Sequence, residues 1–410
     1  MNLTKQQAWL TIIGITESGS ETLSMRARHA ILTANLLYGS DRQLALISDQ
    51  MSPLANRRRW GTPIQETIDN LISDATENTV ILASGDPMCW GIGETITRQL
   101  NNDAFVIIPA TSIITEITAK LHWPNAELTS ISLCSQPLTK LNNYLQPGRR
   151  MVLLSANEKS PKLVADYLCD KGYGKSHITV LENLGTDEEK ITPTTAEQLG
   201  AIKNIGVLNS LAITFLCDPT APIQPVVPGL EDQSYDHDGQ ITKRAVRAIT
   251  IANLAPTPNA HLWDIGTGAG SISIEWCRAA GGATATAIEK SQSRIDRAKE
   301  NAENLGVTTT QFIVGEAPSC LTGLKSPDAI FIGGGLTTPD MIETSIGALN
   351  PGGRLVANAV TIEGEMKLIE AANTYGGNMN RIAISEPDEI GKFKAWRPHM
   401  PVTQWIYKNC

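Results

Sequence analysis

The chain has 410 residues, of which 41% are hydrophobic and 19% are charged, and its formal net charge is −8. This length exceeds one ordinary hydrophobic core and predicts about two or three domains. The acidic balance argues against a general nucleic-acid surface, and no apolar run reaches the roughly 18 residues of a membrane-spanning helix. Residues 1–7 lack the pattern of a signal peptide, so we expect a cytoplasmic protein without a membrane partner.

Cysteines and histidines are scattered along the chain. The seven cysteines are odd in number and never spaced as C-x-x-C, and the six histidines do not cluster either. This pattern predicts reduced, mostly buried thiols, with neither a disulfide framework nor a bound metal.

The N-terminal half alternates predicted strands and helices. Trp9–Gly14 predicts a first strand, which ends where a glycine lets the backbone turn, and residues 20–37 predict a helix. Residues 79–83 are fully apolar, which indicates a buried strand. Strands alternating with helices are typical of an α/β domain with a parallel sheet.

Two predicted strands of this half end in loops of small residues. Ser84-Gly-Asp-Pro87 follows the strand at 79–83, and Pro109-Ala-Thr-Ser112 follows the strand that begins at Phe105. Each loop alone could be a routine connection, but ligands bind at the carboxyl ends of strands in open α/β sheets. We therefore predict a shared cofactor cleft. Its predicted contacts are Gly14, Gly85, Asp86, Pro87, Thr111 and Ser112.

A proline-rich segment separates the two halves. Residues 211–217 predict a buried strand, and Asp218–Gly229 then contains four prolines. Proline at this density continues neither a helix nor a central strand. We predict domains at residues 1–218 and 234–410, joined by a linker at 219–233.

The C-terminal half contains the most informative motif. Residues 261–265 predict an apolar strand that runs into a D-x-G-x-G-x-G turn, formed by Asp264, Gly266, Gly268 and Gly270. A dinucleotide loop of the form G-x-G-x-x-G would need one more glycine directly after Gly270, where a serine stands. The glycines let backbone amides approach a ligand at a helix N-terminus. The motif indicates binding of S-adenosylmethionine (SAM), whose amino-acid end replaces a pyrophosphate there.

Further elements surround this turn. Ala283–Ile288 predicts the next strand, and Glu289 at its tip can accept hydrogen bonds from ribose hydroxyls. Residues 241–254 predict a helix with Thr242 as a plausible cap, and residues 292–305 predict another. Strands are predicted at 311–314, at 328–332 and after Pro351. The predicted SAM contacts of this half are Thr242, Asp264, Gly266, Thr267, Gly268, Ala269, Gly270, Glu289, Glu316 and Ala317.

The motifs of the N-terminal half resemble one known family. Ser84-Gly-Asp-Pro87 resembles the motif of the tetrapyrrole (corrin/porphyrin) methylases. Gly14–Gly19 and Ile131–Leu133 are similar to the branch of that family that acts on precorrin-6Y.

The C-terminal half resembles the decarboxylating precorrin methyltransferases. Three motifs support this resemblance, namely Asp238–Arg244, Leu262–Gly266 and Gly315–Pro318. The order of the two modules is similar to that of fused enzymes of this family, and the resemblance covers nearly the whole chain.

The resemblance implies a fold and a function. The fold is α/β, with an N-terminal tetrapyrrole methylase fold followed by a Rossmann-like SAM-dependent methyltransferase domain. The implied function is SAM-dependent methylation of precorrin-6Y in cobalamin biosynthesis. The first module would methylate C5, and the second would methylate C15 and decarboxylate the ring C acetate. We also expect a homo-oligomer.

The implied substrate carries many carboxylates, so the sites of this acidic chain must be locally basic. The predicted substrate contacts are Arg57, Arg58, Lys243 and Arg247, with Gly333 and Gly334 leaving room for a bulky ligand. A third basic cluster lies at residues 392–397. Each cluster could equally be a solvated surface.

Two alternative functions stay open. Cys134-Ser-Gln-Pro137 stands where the precorrin-6Y branch has a histidine-glycine-arginine-proline loop. The N-terminal module could therefore be a substrate-binding scaffold while only the C-terminal module is active. The chain could also methylate another substrate, because a fold does not determine a function.

Overall fold

A computed structural model describes residues 8–409. Its internal contacts divide the chain into two units, Met1–Gln136 with Pro147–Pro222, and Pro137–Gln146 with Ile223–Cys410. The predictions about a signal peptide at residues 1–7 and about the Cys410 thiol lie outside the described residues. Among the described helices, none is both long and apolar enough to cross a membrane.

The first unit begins with a parallel five-stranded sheet in the order β3-β2-β4-β1-β5. Its strands are β1 (Leu10–Ile15), β2 (Leu36–Gly39), β3 (Asn56–Arg59), β4 (Thr79–Ser84) and β5 (Phe105–Ile108). Its helices are α1 (Met25–Leu32), α2 (Asp41–Ala45), α3 (Ile64–Asp74), α4 (Ile92–Thr97) and α5 (Ile113–Leu121). The central strands β1 and β4 are almost entirely buried, which confirms the two apolar runs as core strands.

The prediction of one helix over residues 20–37 is wrong. The segment contains a short 3₁₀ turn at Gly19–Thr22, helix α1 and the start of β2. Ser24 interrupts the helical pattern because its hydroxyl accepts the backbone N–H of Ala27 and so begins α1 as an N-cap. Leu36 and Leu37 leave the helical pattern because they pair with β4 in the sheet. Tertiary pairing thus overrides a helical periodicity that continues in the sequence.

The rest of the first unit is a mixed five-stranded sheet in the order β6-β7-β10-β8-β9. Its strands are β6 (Thr129–Ser132), β7 (Arg150–Leu154), β8 (His177–Glu182), β9 (Lys190–Thr195) and β10 (Asn209–Thr214), and its helices are α6 (Ser160–Asp170) and α7 (Ala196–Leu199). Only β6 and β7 run parallel, and the other pairs are antiparallel. The first unit is therefore an α/β structure with two separate sheets.

The second unit is built around a seven-stranded sheet in the order β13-β12-β11-β14-β15-β19-β16. Its helices are α8 (Arg244–Leu254), α9 (Ser271–Ala279), α10 (Gln292–Asn304), α11 (Met341–Ala348) and α12 (Ile362–Tyr375). Its strands are β11 (His261–Ile265), β12 (Thr284–Glu289), β13 (Thr310–Val314), β14 (Ala329–Ile332), β15 (Arg354–Ala359), β16 (Asn378–Ile382), β17 (Ser385–Ile390), β18 (Phe393–Pro398) and β19 (Val402–Lys408).

Five of these strands, β11 to β15, are parallel, and β19 and β16 extend the sheet with antiparallel pairing. Strands β17 and β18 form a separate two-stranded hairpin. The first strand of the unit, β11, is buried along its whole length and lies at the middle of the parallel part of the sheet. Its carboxyl end therefore opens onto the edge where ligands of doubly wound sheets bind.

Two local features differ from the sequence-based expectations. Helix α8 begins at Arg244 with Lys243 as its N-cap, and no side chain caps it, so the prediction of Thr242 as a cap is wrong. Residues 137–146 contact the second unit although they lie in the N-terminal half of the sequence. There, Asn143 donates a hydrogen bond to the carbonyl of Gly306 at 3.0 Å and accepts one from Arg278 at 2.6 Å.

Candidate active sites

The glycine turn of the second unit is shaped by three glycines in the left-handed region. Gly266, Gly268 and Gly270 have φ of 75°, 56° and 79°, a conformation that other residues adopt at a cost. A Cβ on Gly266 would lie 2.9 Å from the backbone nitrogen of Gly334, so the loop after β14 packs directly against this turn. The turn precedes α9, which leaves backbone amides at a helix N-terminus available to a ligand.

Asp264 lies beneath the turn and is fully buried. Its Oδ2 accepts hydrogen bonds from the hydroxyl of Thr267 at 2.5 Å and from the backbone N–H of Ser273 at 3.0 Å. Burial raises the pKa of Asp264 to about 6, against the lowering effect of these hydrogen bonds. Its Oδ1 is buried without a protein partner. The carboxylate therefore connects the start of the turn to the first residues of α9 and determines the shape of the turn.

Glu289 ends β12 beside the same turn and is only 6% exposed. Its Oε2 accepts the backbone N–H of Gly268 at 3.3 Å, and its Oε1 accepts that of Ser291 at 3.2 Å. These bonds hold the carboxylate in one orientation at the cavity wall. Because each oxygen can accept more than one hydrogen bond, Glu289 retains acceptor capacity for two neighbouring hydroxyls.

A cavity of about 1250 Å³ opens above this turn. Of the predicted SAM contacts, Thr242, Gly266, Thr267, Gly268, Ala269, Glu289, Glu316 and Ala317 line it, whereas Asp264 and Gly270 do not. Gly333 and Gly334, predicted to face the substrate, also line it. The volume is larger than that of a typical drug-sized pocket, so the cavity has room for more than one ligand of that size.

The predicted substrate cations of this unit separate into two groups. Lys243 is exposed and lines the cavity, where its Nζ lies 3.6 Å from a carboxylate oxygen of Asp232. Arg247, in contrast, is wholly buried and does not line the cavity. Its Nε bonds a carboxylate oxygen of Glu275 at 2.5 Å, and its Nη1 bonds the carbonyl of Thr242 at 2.6 Å.

The prediction that Arg247 contacts substrate is therefore corrected. Its guanidinium is fully used inside the protein, because it also pairs with Asp232 at 3.0 Å and lies 4.8 Å from the ring centre of Tyr235. Glu275 in turn accepts the backbone N–H groups of Gly229 and Leu230. Arg247 thus anchors the segment that precedes α8, including the backbone of Thr242 at the cavity wall.

The sequence reasoning did not identify the part of the cavity formed near the C-terminus. Ile384, His399 and Met400, at the base of the β17–β18 hairpin, line the cavity, whereas the basic cluster at 392–397 does not. No local pattern in the sequence indicates this, since these residues reach the cavity only through the pairing of β16 with β19.

The first unit also contains a cavity, of about 480 Å³, at the carboxyl ends of β1 and β4. We call it the first cavity, and the cavity above the glycine turn of the second unit is called the second cavity. A Cβ on Gly14 would lie 2.1 Å from the carbonyl oxygen of Gly85 and 2.6 Å from the backbone nitrogen of Ala110. Only glycine at position 14 allows the loops after β1, β4 and β5 to meet this closely. Gly85 and Thr111 line the cavity, so two of the predicted contacts lie at its wall.

The other predicted contacts in the loops after β4 and β5 do not line the cavity, but they stabilise these loops. Asp86 accepts the backbone N–H of Met88 at 2.9 Å, and the Ser112 hydroxyl caps α5 by accepting the backbone N–H of Thr115 at 3.1 Å. Pro87 packs against the start of α4, since a Cβ on Gly91 would lie 2.6 Å from its carbonyl oxygen. Gly14, Asp86, Pro87 and Ser112 are not lining residues.

Arg57 and Arg58, predicted to bind substrate, lie on the edge strand β3 and do not line this cavity. Arg57 pairs with Asp49 at 3.1 Å and donates to the carbonyl of Ile47 at 2.8 Å, so it stabilises the preceding turn. The lining aromatic residues are Trp60 and Trp90. The sequence reasoning also missed Glu17 and Arg42, which form an ion pair at the cavity wall.

Among the described residues, no cluster of three or more histidine, cysteine, aspartate or glutamate side chains could hold a metal ion.

Comparison with known proteins assigns the two halves of the chain to two different domain families. Residues 10–200 match the family of Tetrapyrrole (Corrin/Porphyrin) Methylases, and residues 233–409 match the Precorrin methyltransferase domain. The precorrin-6Y C(5,15)-methyltransferase (decarboxylating) of a Sinorhizobium species is 39% identical over 402 residues, which cover 97% of this chain and 96% of that protein. The chain belongs to the precorrin-6Y C(5,15)-methyltransferase (decarboxylating) family.

Other members and single modules of this family are also similar. The Mycobacterium tuberculosis enzyme of the same name is 36% identical over 97% of this chain and 98% of its own length. The cobalt-precorrin-6B C(15)-methyltransferase (decarboxylating) of Salmonella typhimurium is 32% identical over 40% of this chain and 85% of its own length. A solved structure of the C-terminal domain of the Rhodobacter capsulatus family member covers 45% of this chain and all of that domain, with 39% identity and a TM-score of 0.43.

The family relationship confirms the α/β fold class, with a tetrapyrrole methylase domain followed by a methyltransferase-like domain containing a parallel sheet. It also confirms dependence on SAM and membership of an enzyme family of cobalamin biosynthesis.

Proposed function

We propose that the chain methylates precorrin-6Y at C5 and C15, with SAM as methyl donor, and decarboxylates the ring C acetate. The observation that carries this proposal is the identity of 39% and 36% to two enzymes of that name over 97% of the chain. Within the proposal, residues 1–218 methylate C5, residues 234–410 methylate C15 and decarboxylate, and residues 219–233 link them. A Salmonella relative named for the C15 and decarboxylating steps alone corresponds to 40% of this chain, which supports a division of the reactions between modules.

The residues of the second cavity fit SAM. The three left-handed glycines leave a space beside the turn that a Cβ on Gly266 would fill. Glu289, at the end of the neighbouring strand β12, offers a carboxylate that is fixed by its hydrogen bond to the turn. When bound, SAM supplies an electrophilic methyl group on a sulfonium. The turn would hold the amino-acid end through backbone amides, and Glu289 would hold the ribose hydroxyls.

The protein's part in methyl transfer is mainly alignment and exclusion of water. The meso carbons of a reduced tetrapyrrole are electron-rich and act as enamine nucleophiles, so no nucleophilic side chain is required. Placing carbon and methyl in line lowers the barrier by an entropic effect, and a closed cavity excludes water. The conjugated substrate can itself accept the electrons released by decarboxylation, which leaves orientation and electrostatics to the protein.

Cations at the second cavity suit a substrate rich in carboxylates. Lys243, Arg244, Lys290 and Arg294 line the cavity. Arg294 is already held by Asp238 at 2.9 Å, and Arg244 pairs with Glu231, so Lys243 and Lys290 are the more available partners. We propose that they bind acetate or propionate side chains of the substrate.

Incubation of the purified full-length chain with precorrin-6Y and SAM tests the proposal. We expect a product that has gained two methyl groups and lost one carbon dioxide, measured by mass spectrometry. A product without methyl gain would refute the proposed activity, and methylation of a different tetrapyrrole alone would favour the alternative of another substrate.

The alternative in which the first module is a scaffold rests on Cys134. This cysteine is exposed, and its Sγ lies 3.6 Å from the carbonyl oxygen of Ser155, which lines the first cavity. The variant Gly85→Val in the full-length chain separates the two proposals, because a side chain at φ of 58° distorts the predicted donor site. Loss of C5 methylation alone supports an active first module, and unchanged C5 methylation supports the scaffold.

Two further expectations belong to this proposal. We propose a homo-oligomer, which light scattering of the purified chain would test. We also propose a cytoplasmic location, on the basis of the scattered cysteines, and cell fractionation would test it.

A further inference from the structure

A polar cluster at the first cavity has no role in the function described so far. It lies where the carboxyl ends of β1, β2 and β4 meet, and it contains Glu17, Arg42, Gln43 and Ser84. Arg42 forms an ion pair with Glu17 and donates a second hydrogen bond to the hydroxyl of Ser84 at 3.1 Å. Gln43 donates to the same hydroxyl at 3.1 Å.

This cluster positions a carboxylate beside the predicted methyl-donor site. Ser84 directly precedes Gly85, whose backbone N–H donates to the carbonyl of Ile15 at 2.8 Å. Glu17 follows Ile15 by two residues and has a side-chain exposure of 22%, so it is partly desolvated but open to the cavity. The Arg42 side chain fixes the carboxylate at the cavity wall, and burial lowers the pKa of Arg42.

Methylation at C5 creates a need for a base. In this step the meso carbon forms a new bond to the methyl group, and the electrons of the broken carbon–sulfur bond remain on sulfur. The meso carbon still carries its hydrogen. The macrocycle is then a conjugated cation. Breaking the C5–H bond returns an electron pair to the macrocycle and releases a proton, which a neighbouring carboxylate can accept.

We propose that Glu17 is the general base that accepts the C5 proton, with Arg42 as the residue that positions it. This inference rests on the proposed C5 methylation in the first module. After the step, Glu17 is a neutral acid, Arg42 remains a cation bonded to Ser84, and the proton leaves to water when product departs. The atoms and charges balance without a further reactant.

One other carboxylate lines the cavity. Of the described lining residues, only Glu17, Arg42 and Glu116 are charged. Glu116 lies in the first turn of α5, near the ion pair of Lys120 and Glu189, and burial raises its pKa. Among the described residues, no ion pair holds its carboxylate, whereas Arg42 holds that of Glu17. The ion pair with Arg42 fixes Glu17 at the cavity wall and favours it as the base.

The experiment uses the full-length chain with precorrin-6Y and SAM, and follows C5 methylation by product mass and NMR. In Glu17→Gln we expect the rate of C5 methylation to fall by about 10²- to 10⁴-fold, which is the usual contribution of a general base. SAM affinity and melting temperature should change little. The control Glu94→Gln breaks an exposed Glu–Arg pair outside the cavity, with a 2.5 Å contact to Arg98, and should leave the rate unchanged.

A second variant distinguishes a base from a merely structural carboxylate. In Glu17→Ala, added formate should restore part of the C5 methylation rate, because a small carboxylate can occupy the vacated space and accept the proton. Absence of rescue would overturn the proposal. A Glu17→Gln rate within about threefold of wild type would also overturn it, because this loss is far smaller than the usual contribution of a base. A loss in Glu116→Gln instead of Glu17→Gln would also overturn it. Failure of the wild-type chain to methylate C5 would refute the proposed function and not the choice of base.

Discussion

The variant Glu289→Gln tests the geometry of the proposed SAM site of the second unit most directly. It removes the negative charge while keeping the size of the side chain, so the cavity volume and the packing of β12 are preserved. If Glu289 accepts the ribose hydroxyls of SAM, the charge loss weakens those hydrogen bonds. If Glu289 serves only to hold the glycine turn, stability changes and SAM affinity does not.

The structure allows both effects to be estimated. Loss of a charge-assisted hydrogen bond costs about 1.5–3 kcal/mol, which corresponds to roughly 10- to 100-fold in SAM affinity. The carboxylate also accepts two backbone N–H groups, from Gly268 and Ser291, and an amide has one oxygen to replace the two. One backbone donor therefore loses its acceptor in a site that is 6% exposed, at a cost of about 1–3 kcal/mol in unfolding free energy.

Isothermal titration of the full-length chain with SAM measures the affinity, and thermal melting measures the stability. If both units bind SAM as proposed, only the affinity of the second unit should fall in the variant, and the site in the first unit serves as an internal reference. Glu300→Gln, on the exposed face of α10, is a matched control and should change neither quantity. An unchanged dissociation constant at both sites in Glu289→Gln would refute the ribose contact.

Three further predictions follow from the second unit. Gly268→Val should abolish C15 methylation and carbon dioxide release, because φ of 56° is strained for a β-branched residue at the cavity wall. Mass spectrometry of the product measures both steps, and finding both intact would contradict this prediction. Arg247→Met should lower the free energy of unfolding, measured by urea titration, by about 3–5 kcal/mol, because it leaves Glu275 buried without its cation. A loss below about 1 kcal/mol would contradict the role of Arg247 as an anchor. Asp264 should make the free energy of unfolding fall as pH rises between about 4 and 6, because its folded pKa of about 6 exceeds the unfolded value of 3.8 and the folded state binds the proton more tightly. The difference in unfolding free energy between wild type and Asp264→Asn should change by roughly 3 kcal/mol over that range and stay constant above it. A pH-independent difference would contradict the raised pKa.

Elements encoded by local patterns were predicted well. The strand at 79–83, the helix at 292–305 and the D-x-G-x-G-x-G turn each depend on residues close together in the sequence. Apolar runs and helical periodicity report which face of an element is buried, and left-handed glycines report where the backbone must turn. These signals survive without knowledge of the partners of each element.

Predictions failed where a local pattern was compatible with more than one structure. The periodicity of residues 20–37 suits a helix, but pairing with β4 draws Leu36 and Leu37 into a strand. A basic residue near a ligand motif suits substrate binding, but Arg247 lies on the inner face of α8 and is neutralised by Glu275. Burial of a charge depends on partners from distant segments, which single-sequence patterns do not report.

The sequence alone determined the two-module α/β organisation, the glycine turn and the acidic residue beside it, because motif spacing and hydrophobic pattern are local quantities. Only the tertiary structure decided which of the predicted residues face a cavity. It placed Lys243 at the wall and Arg247 inside, and it brought Glu17 and Arg42 together although 25 residues separate them. The reason is physical: the parallel sheet brings together the carboxyl ends of strands that are far apart in the chain, and the side chains that meet there are chosen by strand order and not by sequence distance.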